Sequence, residues 1–224
     1  MSKKQSLKKE IKETKQKKVV EKKGVFNNLK RFWKFLWYED SILSWMTLII
    51  LAFILIKFVF YPGIGILLGT NFPIVAVVSS SMEHHPANFD QWWDLNQDFY
   101  LKFNITKQEF QDFKFRKGFN KGDIMLLRGV DPHNMKKGTI MVYWSKKPYP
   151  IIHRYIGNNT EENKTNFLMS KGDNGLTNPW FIQQTFLNEK EISPNSVVGQ
   201  AFLRIPYLGY VKIWATELVG GMIN

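Results

Sequence analysis

Three short segments of this chain carry side chains able to do covalent chemistry together: Ser79-Ser80-Ser81-Met82, His153-Arg154 and Lys171-Gly172-Asp173-Asn174. A hydroxyl, an imidazole and a carboxylate, in that order, are the parts of a serine hydrolase. The hydroxyl alone is a weak nucleophile and needs a base within hydrogen-bond reach. Of the four histidines, His84 and His85 lie almost beside the serines, and His133 occupies a polar Asp131-Pro132-His133-Asn134 turn. His153 alone follows an apolar run, Pro150-Ile151-Ile152, where a strand would fix its ring. Spacing by itself leaves the base open, since a lone histidine in a strand is more often structural. Asp173 has two readings. It is either a turn residue that bonds its own backbone or the group that orients His153 and stabilises its imidazolium. Gly122-Asp123 begins a strand and reads as structural. His84, His85 and Asp90 could be taken for metal ligands, but nothing further completes a coordination sphere. No metal and no cofactor is expected.

Short β-like runs broken by Gly, Pro and Asn must position these groups. They are Ile74–Val78, Ile124–Leu127, Thr139–Trp144, Ile151–Ile156, Asn166–Ser170 and Ser196–Leu203. One helix is expected over Lys107 to Phe115, where Thr106 and Glu109 have capping-box spacing. The pattern predicts a mostly β, antiparallel domain over residues 69–224. Residues 83–121 interrupt it. Trp92, Trp93, Phe99, Tyr100 and Phe103 make that stretch a packed insertion or lid, because clustered aromatics are more often core than lipid contacts. Val211 to Val219 reads as a short apolar helix, too short to span a bilayer.

The 224-residue chain has net charge +12 and no cysteine, which excludes disulfides and a thiol nucleophile. Residues 1–24 form a lysine-rich tail, read as a cytoplasmic topology signal rather than a nucleic-acid binder. Residues 25–40 mix aromatics with Lys and Arg and fit an interfacial amphipathic segment. Residues 41–68 supply the roughly twenty apolar residues needed to cross a bilayer. The run is too long, and starts too late, for a cleaved signal peptide. Lys57 reads as snorkelling outward near the helix end. The tail side is then cytoplasmic and residues 69–224 face outside, in a single-pass cell-membrane protein. Three Asn-x-Thr triplets, at Asn104, Asn158 and Asn163, support that topology weakly.

Taken together, these segments resemble signal peptidase I of the archaeal and endoplasmic-reticulum type. The family's Ser-Gly-Ser-Met box matches Ser79-Ser80-Ser81-Met82, with Ser80 in place of Gly. Its His-Arg box matches His153-Arg154, where bacterial relatives carry a lysine base. Its Lys-Gly-Asp-Asn box matches Lys171-Gly172-Asp173-Asn174. Val198-Gly199 and Ile205-Pro206-Tyr207-Leu208-Gly209 resemble its C-terminal strands. The resemblance implies a signal-peptidase-like β domain, Ser81 as nucleophile and His153 as base. It also implies oxyanion donors at the Ser81 N–H and Ser79, and cleavage after small residues. A further Asp is usual five or six residues past the Gly-Asp. Here those places hold Asn178 and Pro179. Three arrangements stay open: Asp173 as third member, Asn178 in that role, or a Ser–His dyad.

The implied partners are secretory preproteins, membrane lipids and the translocon, with no nucleic acid. Two other functions fit the same residues. One is a related serine peptidase that processes another surface precursor. The other is a non-catalytic membrane-anchored β domain serving the translocation machinery.

Overall fold

The computed structural model describes residues 26–86, 88–159, 161, 167–210 and 214. The basic tail, the Asn163 triplet and, Trp214 apart, the Val211–Val219 segment lie outside the described residues. The chain forms two units, 1–60 and 61–224.

In the first unit, residues 26–38 form helix α1. Ser41 caps the next helix, α2 (Ile42–Leu55), by accepting a hydrogen bond from the Ser44 N–H. Ser44 Oγ in turn donates to the Phe35 carbonyl at 2.7 Å, tying the two helices together. A π-helical turn follows at Ile56–Phe60. Apolar side chains point outward on every side of α2, including Ile42, Leu43, Trp45, Ile54 and Leu55. Such a surface is at home in lipid rather than water. Helix runs from Ile42 to Leu68, 27 residues, which is about 40 Å at 1.5 Å per residue and enough to cross a hydrocarbon core.

The second unit opens with α3 (Tyr61–Leu68) and is built on one antiparallel sheet. Its strands are β1 (Ile74–Ala76), β2 (Ile124–Arg128), β3 (Ile140–Tyr143), β4 (Ile151–Asn158), β5 (Leu168–Lys171) and β8 (Val197–Ile205). Their spatial order is β1-β2-β8-β3-β4-β5. A two-residue-strand hairpin, β6 (Gln183–Gln184) and β7 (Leu187–Asn188), packs beside it. All six expected runs contain a strand, with ends shifted by a few residues. β1 stops at Ala76 because the Val77 N–H and C=O leave the ladder to bond Asp123 and Gly122.

The insertion between β1 and β2 holds two helices where one was expected. Helix α4 (Phe89–Lys102) is capped by Asn88, whose side chain accepts from the Asp90 and Gln91 N–H groups. Helix α5 (Lys107–Asp112) carries the expected reciprocal Thr106–Glu109 capping box. It ends before Phe115 because Phe113 turns extended, at φ −70° and ψ 142°. Trp92, Trp93, Phe99, Tyr100 and Phe110 form one buried cluster with Ile156 and Met169 of the sheet. The insertion is therefore core, as its aromatics predicted. A second cluster, with Val77, Met82, Met125, Leu127 and Val142, lies under the serine turn.

Candidate active site

The serine turn is set by its neighbours. Met82 is buried, and its sulfur accepts from the Asp173 N–H at 3.4 Å. The Asn174 N–H donates to the Ser81 carbonyl, and the Asn174 amide donates to the Ser80 carbonyl, both at 2.9 Å. The Gly172-Asp173-Asn174 turn thus clamps Ser79-Ser80-Ser81 from behind. Gly172 must be glycine for this approach. A Cβ there would stand 2.7 Å from the Ser81 carbonyl oxygen and 2.6 Å from Asn178 Oδ1.

His153 lies on β4 opposite Met141. Its Nε2 is 2.9 Å from Ser81 Oγ, within reach for proton transfer. Ser81 is half-buried, whereas the His153 side chain is 4% exposed, so the pair opens to solvent at the hydroxyl. Ser79 Oγ lies 3.2 Å from Ser81 Oγ at the open side. Val78 and Ile74, in the run that leads into the serine turn, are exposed.

The other ring nitrogen, His153 Nδ1, meets Glu189 Oε1 at 2.5 Å, and the Glu189 side chain is fully buried. Sequence reasoning did not single out Glu189. Its backbone is held on both sides: its N–H donates to the Ile182 carbonyl and its C=O accepts from the Ser170 N–H of β5. Its Oε2 accepts from the Ile182 N–H at 2.6 Å and from the Asn178 amide at 3.0 Å. Burial pushes this carboxyl up, but His153, the Ile182 N–H and the Asn178 amide more than offset it. The group lies below its ordinary value and is ionised at neutral pH.

Three arrangements were open for the third member, and the hydrogen bonds of Asp173 and Asn178 run to groups other than His153. Asp173 is fully buried, and both its oxygens are occupied elsewhere. Arg154 Nε donates to both of them, and Arg154 Nη2 reaches Oδ2 at 2.5 Å. Tyr100 OH donates to Oδ1 at 2.9 Å, and His84 Nε2 approaches Oδ2 to 3.3 Å. Burial raises the Asp173 carboxyl, but Arg154 and His84 overcome this and hold it well below the carboxylate range. Asn178 accepts from the Gly172 N–H and donates to the Trp180 carbonyl as well as to Glu189. The Asp173 placement follows from the side-chain alternation of β4, which sends neighbouring residues to opposite faces. His153 goes to Ser81 and Glu189, and Arg154 goes to Asp173.

The remaining residues fall into separate surroundings. His84 stacks on Trp92 at 3.7 Å, His85 pairs with Glu83, and Asp90 pairs with Lys107. These three do not converge on a point. Asp123 is buried against Arg204 and caps its own turn through the Asn120 N–H. Lys171 is buried, donates to the Gly172 carbonyl at 2.8 Å and lies over the rings of Phe99 and Tyr100. Burial brings its ammonium down to about 8.

No protein-family model matches the chain. It is 30% identical over 164 residues to the signal peptidase complex catalytic subunit SEC11 of Lachancea thermotolerans, covering 71% of this chain and 76% of that one. The SEC11 subunit of Komagataella phaffii is likewise 30% identical over 168 residues, at the same coverage. That of Saccharomyces cerevisiae is 27% identical over 164 residues, covering 71% of this chain and 75% of its own.

Proposed function

The chain belongs to the family of signal peptidase catalytic subunits, a family of serine endopeptidases, and from that premise we propose that Ser81 is its nucleophile and His153 its general base. It removes signal peptides from secretory preproteins, and its fold is an anchored antiparallel β domain. Its relatives work within a signal peptidase complex. The observation that carries the proposal is the 2.9 Å approach of His153 Nε2 to Ser81 Oγ.

The reaction follows from that geometry. Nε2 takes the proton of Ser81 Oγ as the oxygen attacks the scissile carbonyl carbon. The tetrahedral oxyanion receives hydrogen bonds from the Ser81 N–H and from Ser79 Oγ. The imidazolium then protonates the leaving amine, and the mature protein departs. Water, deprotonated by His153, attacks the Ser81 ester and frees the signal peptide. The exposed Ile74 and Val78, in the run that leads into the serine turn, would border shallow sites for small residues at the cut.

The protein is membrane-associated. The finer placement is part of the proposal: a single pass in the cell membrane, residues 1–24 cytoplasmic, residues 69–224 outside, with contacts to lipid and translocon. Tethering enzyme and preprotein to one bilayer raises their effective concentration. Cleavage of a signal-peptide-bearing precursor in liposomes tests the assignment. Ser81→Ala and His153→Ala should each lose about 10⁴-fold or more in rate. Wild-type rates from a folded Ser81→Ala protein would overturn it.

A further inference from the structure

Two fully buried carboxylates stand near the proposed pair, and they are engaged differently. Asp173 has its charge matched by Arg154 and both oxygens filled. Glu189 divides its oxygens between two jobs. Oε2 is fixed by the Asn178 amide and the Ile182 N–H, while Oε1 is left facing His153 Nδ1 at 2.5 Å. Neither Nδ1 nor Oε1 has a hydrogen-bond partner elsewhere among the described residues. The two atoms are in close contact without meeting hydrogen-bond geometry, and catalytic contacts of this kind tighten when substrate binds.

We propose that Glu189 is the positioning acid for His153, that Asn178 fixes Glu189, and that Asp173 serves as the counter-ion of Arg154 instead. This rests on the reading of Ser81 and His153 as nucleophile and base. A neutral imidazole has one donor and one acceptor nitrogen. A carboxylate on Nδ1 selects the tautomer with the proton there, leaving Nε2 free to accept from Ser81. The same charge stabilises the imidazolium that forms when the proton transfers. Asp173 cannot do this while Arg154 and Tyr100 hold it on the other face of β4. The position where the family resemblance expects an acid, Asn178, supplies an amide that aims the acid arriving from β7. No bond to Glu189 forms or breaks in this role; it holds a proton on Nδ1 through a contact.

The test uses the full chain in liposomes with a signal-peptide substrate, comparing wild type, Glu189→Gln, Glu189→Asp and Asp173→Asn over a range of pH. For Glu189→Gln, kcat should fall about 10³-fold with KM within about twofold. The acid limb of its pH–rate profile should move to lower pH, because a neutral amide no longer favours the imidazolium. Glu189→Asp should regain at least about tenfold of that loss, since it keeps the charge one methylene short. Folded Asp173→Asn should keep the wild-type pH profile. An unaltered kcat and profile in Glu189→Gln, or an altered profile in Asp173→Asn alone, would sink the inference. If Glu189→Gln does not fold, ¹⁵N spectra of histidine-labelled wild type decide: protonated Nδ1 at His153 sustains the proposal, and protonated Nε2 overturns it. Failure of the underlying reading looks different, because Ser81→Ala would then cleave as wild type does.

Discussion

His153 and Arg154 are neighbours on β4, and they face opposite kinds of polar surroundings. On the Arg154 side every donor is satisfied: Nε and Nη2 on Asp173, Nη1 on the Lys114 and Gly138 carbonyls, and Nη2 also on the Phe115 carbonyl. The guanidinium also lies 4.6 Å from the Phe110 ring centre, inside the aromatic cluster of the insertion. On the His153 side the hydroxyl of Ser81 is half open, and the ring has one partner at each nitrogen. A saturated buried charge is an element of structure, because moving a proton there would leave something unpaired. A sparsely held group can trade its proton. The difference separates a brace from a reactive centre more sharply than the motifs do, since both residues belong to the same two-residue box.

Substitutions can break that contrast, and the largest effect falls on activity alone. Ser81→Ala should abolish cleavage by about 10⁵-fold while the unfolding free energy changes by no more than about 1 kcal/mol. Rate assays paired with thermal melts on the same preparation read both. Arg154→Met should do the reverse. It strands Asp173 as an uncompensated buried charge and should cost about 3–5 kcal/mol of stability. The melting midpoint should drop, and activity should fall only as folded protein is lost.

A third substitution sharpens the comparison through pH. Lys171 sits beneath the brace, and burial holds its ammonium at about 8 in the folded protein against 10.5 unfolded. Between those values the unfolded chain binds more protons, so wild-type stability rises with pH from about 8 upward. Below about 8 both states are protonated and the cost of burying the charge is fully present. Tyr100 and Tyr143, buried and raised above their ordinary value, reverse the trend once unfolded tyrosines ionise near 10. Lys171→Met should flatten stability from about pH 8 to 10 and add about 1–3 kcal/mol below pH 8, provided the methionine fills the same space over Phe99. Denaturant midpoints across that range check it. The smallest effect belongs to the insertion's edge. Thr106→Ala removes the α5 cap and should cost about 1 kcal/mol with no change in cleavage rate per folded molecule.

The strands, and the positions of the proposed hydroxyl and base, were legible because each lies on a local pattern. Ser81 ends an apolar run, His153 continues one, and the anchor is a long apolar stretch. Helix α4 was half legible. Trp92 with Phe99, and Trp93 with Tyr100, repeat at helical spacing, but Asp94, Asn96, Gln97 and Asp98 between them weaken any propensity argument. Glu189 was not legible. It sits in a run of polar and charged residues, Asn188-Glu189-Lys190-Glu191, after a hairpin of two-residue strands that begins with Gln183-Gln184. Nothing periodic marks it. Its proposed role arises only when that hairpin folds back so that Glu189 and Ser170 of β5 bond through their backbones. Asp173 is the opposite case. A Gly-Asp-Asn turn beside a serine box invites a catalytic reading, yet its side chain is claimed by Arg154 and by Tyr100 of helix α4, which the sequence pattern did not predict.

The strand order also decides what holds the site together. The serine precedes the base by 72 residues, and the sheet puts them in separate halves, β1-β2 on one side and β3-β4-β5 on the other. The ladder joining those halves is β8, the last strand in chain order among the described residues, which pairs with both β2 and β3. The two halves of the sheet are therefore locked into one register only when β8, which follows both Ser81 and His153 in the chain, has paired with each half. The Gly172-Asp173-Asn174 turn, by contrast, reaches the Ser80 and Ser81 carbonyls from an earlier point in the chain.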